Sequence, residues 1–221
     1  MANVLIISPH GMDEVLGCGG VIARHAAAGD RVDVLVLFGD GTGMDAGRRI
    51  AAPAAAGILG ATAPVFAGLP ENRSDSLPLI DIIRPIEDVV KRLQPSVVYV
   101  PHGGSLHVDH HSAFRAAVTA IRPLPGHPAG RIYAYEIVSS TEWAPRGLGA
   151  DIFVPTRFVD ISAVLEKKMQ ALDCYRAEMR LAPHSRSVEG VRALATHRGH
   201  VAGLQAAEAF VTVREVLTGL L

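Results

Sequence analysis

Cysteine is scarce in this sequence. Cys18 and Cys174 stand alone among 221 residues, too few for a disulfide framework and without the clustering that four-thiolate zinc ligation needs. That usage fits a reducing, cytoplasmic setting. Aromatic residues make up only 5% while hydrophobic residues make up 49%, so the core must be built from Val, Ile, Leu and Ala. Neither charge sign dominates: 21 Lys and Arg face 22 Asp and Glu, which gives no reason to expect nucleic acid or an anionic membrane as partner. No apolar run is long enough to span a bilayer, and Met1 to Ile7 lacks the basic start, apolar centre and small-residue cleavage site of a secretory signal. A small molecule remains the expected partner. What the sequence has in quantity is histidine, ten in all, several of them crowded between His102 and His111.

Length and the absence of an internal linker predict a single α/β domain over 1–221. Val4 to Ser8 is a short apolar run ending at Pro9, the pattern of a strand covered on both faces. After it, LGCGGVIARHAAAGD reads as a glycine-rich turn, then a helix stopped by Gly29. Val32 to Phe38 is a second buried strand, and the three form a βαβ unit with an expected right-handed crossover. Further along, the pattern predicts a helix over Arg48 to Leu59 interrupted by Pro53, a short strand at Pro64 to Ala67, and a polar loop in LPENRSDS. A helix over Leu79 to Leu93 and a strand over Val97 to Val100 come next. A helix from Ser112 to Ile121, a turn-rich PLPGHPAG, a strand at Ile132 to Ile137, a segment from Phe158 to Asp160, and helices over Ala163 to Arg180 and Ser187 to Thr196 complete the reading. Such alternation implies a Rossmann-like three-layer fold, a mostly parallel sheet flanked by helices. Ligands of these folds sit beyond the carboxyl ends of the strands, so the loops carrying His10 and Asp13, Asp40, and His102 to His111 should meet at one edge.

His10 and Asp13 lie three residues apart directly after the first strand, and His107-Val108-Asp109-His110 follows a later one. Two His and one Asp satisfy a catalytic zinc, which takes three N or O ligands and keeps a position for water. The plainer reading is that such residues are caps and loop hydrogen-bonders. The glycines Gly17 to Gly20 lack the G-x-G-x-x-G spacing and a ribose-binding acid, so a dinucleotide site is a poor reading.

SPHGMDEVLGCGG, Ser8 to Gly20, resembles the opening motif of the PIG-L or LmbE-like deacetylases, which usually reads P-H-P-D-D-E followed by L-G-x-G-G. LPENRSDS, VDHH, YEIVSSTEW, PHSRS, HRG and AEAF extend that resemblance in order along nearly the whole chain. The resemblance implies a divalent-metal hydrolase, usually zinc-dependent, that removes an N-acetyl group from an amino sugar or its conjugate. It implies His10, Asp13 and His110 as the ligands and, for relatives of this kind, assembly into oligomers.

In the family, the first Asp of H-x-D-D activates the attacking water, and here Met12 occupies that position. A thioether accepts no proton at neutral pH, and such a base is worth roughly 10²–10⁴-fold in rate. Three outcomes stay open: Asp109 or Glu14 acts instead, the metal suffices, or the chain is a catalytically impaired metal- and sugar-binding relative. His107 is a candidate acid or oxyanion donor, and Asp109 a candidate base or an acceptor that orients an imidazole. Asp40, Arg73, Glu136, His184 and Arg186 are candidate substrate-binding residues, and Trp143 a candidate for stacking on a sugar ring. Plainer alternatives are a turn cap for Asp40, a surface ion pair for Arg73 and a packed aromatic for Trp143.

Overall fold

A computed structural model describes residues 1–125, 129–145 and 152–216. Seven strands form one sheet in the order β3-β2-β1-β4-β5-β7-β6. They are β1 (Asn3–Ser8), β2 (Arg31–Phe38), β3 (Val65–Leu69), β4 (Val97–Pro101), β5 (Arg131–Tyr135), β6 (Arg157–Asp160) and β7 (Ala207–Glu215). β1 pairs in parallel with both β2 and β4, with Val4 opposite Val32 on one side and Val97 on the other. β2–β3 and β4–β5 are parallel too.

The central strands are apolar on both faces because helices cover both. Successive side chains of a strand point to opposite faces, so Val4, Ile6, Val34 and Val36 join one core layer while Leu5, Ile7, Leu35 and Leu37 join the other. The first layer is closed by α1 (Asp13–Ala27), α2 (Gly43–Leu59) and α5 (Leu165–Asp173), and the second by α3 (Leu79–Leu93) and α4 (Val108–Ala120). α6 (Val188–Val201) starts at Ser187, whose side chain accepts from the Gly190 amide. The three-layer α/β fold is therefore the one expected.

Several expectations need correction. GCGG is not a turn but part of the continuous helix α1. A Cβ at Gly17 would collide with the Tyr135 ring, and one at Gly20 with Ile161; these glycines serve close packing, which their local sequence cannot reveal. α2 begins at Gly43, five residues before the expected start, and accommodates Pro53. α4 begins at Val108, not Ser112, so His110 sits in its first turn. The helix expected to reach Arg180 ends at Asp173. Most of all, Ala207–Glu215 is a strand antiparallel to both β5 and β6, where the sequence reading predicts no element. Residues 126–128 of the PLPGHPAG turn lie outside the described residues.

Sheet order places the topological switch between β1 and β4, the central pair whose chains depart toward opposite sides. A crevice opens beyond the carboxyl ends of such a pair. His10 follows β1 and His107, Asp109 and His110 follow β4.

Candidate functional site

The tight turn between β1 and α1 passes through Met12 at φ 90°, a backbone region few non-glycine residues occupy. That turn brings His10 and Asp13 together, with His10 Nδ1 at 3.1 Å from Asp13 Oδ2. From the far side of the crevice, His110 Nε2 approaches the same Asp13 oxygen at 3.4 Å. All three residues are buried, and one donor atom from each lies within 4.8 Å of the others.

The remaining polar groups hold these three in place. His10 Nε2 meets Asp109 Oδ2 at 2.8 Å. Asp109 is fully buried, and it also accepts from the Asn72 amide at 2.8 Å and the Ser74 amide at 3.3 Å. Burial raises its pKa, but the hydrogen bonds from His10 and from the Asn72 amide prevail and bring it to about 2. The LPENRSDS loop thus lends backbone amides to a carboxylate beside the site, a contribution its side chains do not advertise. His107 caps α4, its Nδ1 accepting from the Asp109 amide at 3.1 Å. Its ring stacks on His110 with centroids 4.9 Å apart and meets His10 edge-on at 4.8 Å. Burial, then repulsion from His10, lowers its pKa to about 4, so the ring is neutral at pH 7. For His10, burial is overridden by the hydrogen bonds to Asp109 and Asp13, and its pKa rises to about 9. Between two carboxylates, positive charge is favoured.

Met12 is 2% exposed and belongs to the first core layer. Glu14, the other carboxylate nearest in sequence, is also buried and receives Tyr175 Oη–H at 2.7 Å and Ser8 Oγ–H at 3.2 Å. Burial raises its pKa to about 7.

The candidates for substrate binding divide. Asp40 is exposed and accepts from both the amide and hydroxyl of Thr42, at 2.9 and 2.7 Å, a self-contained turn. Glu136 is held by Arg198 through two bonds of 2.7 Å. Both Thr42 bonds fall on Asp40 Oδ1, which leaves Oδ2 open to a ligand, whereas both Glu136 oxygens are taken. Arg73 is exposed beside the two amides that hold Asp109. His184 Nδ1 accepts from the Arg186 amide at 3.0 Å and its ring meets Trp143, half-exposed, with centroids 5.3 Å apart. Arg186 Nε donates to Ser139 Oγ at 3.0 Å.

Two serines that the sequence reading passes over reach the same site: Ser105 Oγ and Ser140 Oγ lie 2.9 and 3.4 Å from His110 Nδ1. Ser140 lies within the SSTEW motif, the one available signal. A further, partly buried cluster, Arg48 with Glu71 at 2.8 Å and Glu178 at 3.3 Å, packs over Gly11.

The chain is similar to several known proteins. The chain is similar to the uncharacterized deacetylase YaiS of Escherichia coli K12, 31% identical over 145 residues, 62% of this chain and 75% of that protein. It is similar to the 1D-myo-inositol 2-acetamido-2-deoxy-alpha-D-glucopyranoside deacetylase of Saccharomonospora viridis, 29% identical over 238 residues, 81% of this chain and 86% of that one. Among solved structures, GalB, the 4-carboxy-2-hydroxymuconate hydratase of Pseudomonas putida KT2440, aligns with a TM-score of 0.77 at 26% identity over 100% of both chains. The model of the family PIG-L, GlcNAc-PI de-N-acetylase, matches residues 5–121. Because that match runs through both crevice loops and takes in more than half of the sequence, the chain belongs to the PIG-L family.

Proposed function

We propose that this chain hydrolyses the N-acetyl amide of an amino-sugar conjugate with the help of a divalent cation, zinc being the first expectation, held by His10, Asp13 and His110. One observation carries the reading: two imidazoles and a carboxylate, from loops far apart in the chain, converge within 4.8 Å in a member of a family named for a de-N-acetylase. Two nitrogens and one oxygen suit a borderline-soft ion. The two carboxylates facing His10, which draw its pKa up to about 9, favour positive charge at this point. A cation held there supplies a Lewis acid that polarises a carbonyl and acidifies water.

The chain's own side chains define the rest. With a cation bound, Asp109 would fix His10 with its one proton on Nε2 and leave the unprotonated Nδ1 to face the cation beside Asp13. His107, with Nδ1 occupied by an amide, carries its proton on Nε2; neutral at pH 7, it serves as a hydrogen-bond donor to a developing oxyanion. Asp109 and Glu14 are both committed to hydrogen bonds, and Met12 accepts no proton. No side chain among the described residues therefore stands ready as base, and turnover should be slow by roughly the 10²–10⁴-fold such a base contributes. Asp40, Arg73, His184, Arg186 and Trp143 are proposed to face the sugar and its aglycone, and Glu136 to position Arg198, which holds both its oxygens.

Acetate release from N-acetylglucosaminyl conjugates, measured beside metal content, tests this. Stoichiometric zinc and acetate release are expected in the wild type, and both should be lost in His110→Ala. Hydration of 4-carboxy-2-hydroxymuconate, followed in parallel, would instead favour the chemistry of the hydratase relative. Met12 favours a second reading, binding without turnover, and stoichiometric zinc with no acetate from any conjugate would support that one. Met12→Asp should raise acetate release by roughly 10²-fold or more if a base is all that is missing; no gain would show that the chain works by another route.

A further inference from the structure

Ser105 and Ser140 are 2% and 5% exposed, and their hydroxyls lie 2.5 Å apart. They come from different loops, Ser105 after β4 and Ser140 after β5. The loops are also joined by the Leu106 amide, which donates to the Ser140 carbonyl at 3.0 Å. His111 adds a ring nitrogen bonded to the Ser105 carbonyl. An imidazole that ligates through one nitrogen carries its proton on the other. With His110 Nε2 turned to Asp13, Nδ1–H donates and Ser105 Oγ, at 2.9 Å, accepts. The Ser105 hydroxyl proton is then free for Ser140 Oγ. The neighbour Ser139, at φ 63°, accepts from Arg186 on a third loop.

We propose that Ser105 and Ser140 are positioning residues for His110. They form a hydroxyl relay that fixes its tautomer and ring plane for cation binding and ties that ligand to the loop carrying Ser139, which Arg186 bonds from the loop before α6. The inference rests on the reading of His10, Asp13 and His110 as cation ligands. The two imidazoles are held differently. His10 is backed by a carboxylate, whereas His110 is backed by a neutral hydroxyl, a weaker acceptor. The serines therefore supply alignment more than added electron density, and their loss should show in affinity and in ligand-field geometry.

Zinc affinity by chelator competition and the visible absorption of the cobalt(II)-substituted full chain provide the test, with thermal melting of the metal-free proteins reporting the fold. Ser105→Ala should weaken zinc binding roughly ten-fold or more and shift the cobalt bands, Ser140→Ala should do so less because its hydroxyl is farther from the ring, and Ser105→Thr should restore both readouts. Unchanged affinity and spectra in both alanine variants would overturn the proposal. If Ser105→Ala does not fold, Ser140→Ala decides alone, a loss supporting it and wild-type behaviour overturning it. A wild type that binds no zinc defeats the ligand reading itself, whereas zinc binding that depends on His110 but not on either serine defeats only this inference.

Discussion

Asp109 presents a carboxylate beside a ligand, and from residue type alone it serves equally well as base or as support. Both of its oxygens accept hydrogen bonds, from His10 and from two backbone amides, and on that ground support is the role we propose. Replacing it with Asn puts an N–H where an acceptor is needed, so Asp109→Asn should weaken metal affinity by about 10–100-fold, measured by chelator competition. A lost base would lower turnover and leave affinity intact. At this scale the sequence is informative where side chains of ligating type fall just past strand ends, as with His10, Asp13 and His110, which the fold brings together. It is uninformative where the working atom is a backbone amide, as at Asn72 and Ser74, or an ordinary hydroxyl, as at Ser105. Asp40 is read less directly, because one of its oxygens closes a turn on Thr42 while the other stays open.

In α1 the unexpected feature is a carboxylate inside a helix. Glu208 of β7 receives the amides of Gly20 and Val21, each at 2.7 Å, while Lys168 Nζ bonds both Glu208 at 2.7 Å and the Leu16 carbonyl at 2.8 Å. An amide has one proton to give, so a side chain has entered the ladder of the helix. Both charged partners are buried. Losing one partner of such a pair costs about 3–5 kcal/mol, so Lys168→Met should lower unfolding free energy by that order in denaturant titration. Glu208→Ala should do at least as much, since it also strands two amides. Gly17→Ala, pressed against the fully buried Tyr135, should cost about 1–3 kcal/mol by overpacking. The glycines read as a turn because glycine is the commonest turn residue; that they permit contact with α5 and β5 is a property of partners far along the chain.

For the whole molecule, the parallel half is written in runs of Val, Ile and Leu that carry their own period, and it is legible strand by strand. The antiparallel end is not. β7 opens on alanines and a charge, Ala207-Glu208-Ala209, and carries its strand formers only over Phe210-Val211-Thr212-Val213, a run that shows neither the strand's full length nor its direction. Its pairing with β5 and β6 is settled by tertiary contacts. Removing residues from Ala207 onward should abolish the cooperative unfolding transition seen by circular dichroism, because β6 would lose its partner and α1 its inserted carboxylate. The family match stops at residue 121, yet the helix that presents Asp13 is finished by a glutamate and a lysine well past that point. The segment most recognisable to a sequence comparison is thus not a self-sufficient piece of matter: cut out alone, it would carry two donors pointing at nothing, and its first ligand loop would be anchored to a helix without its keystone.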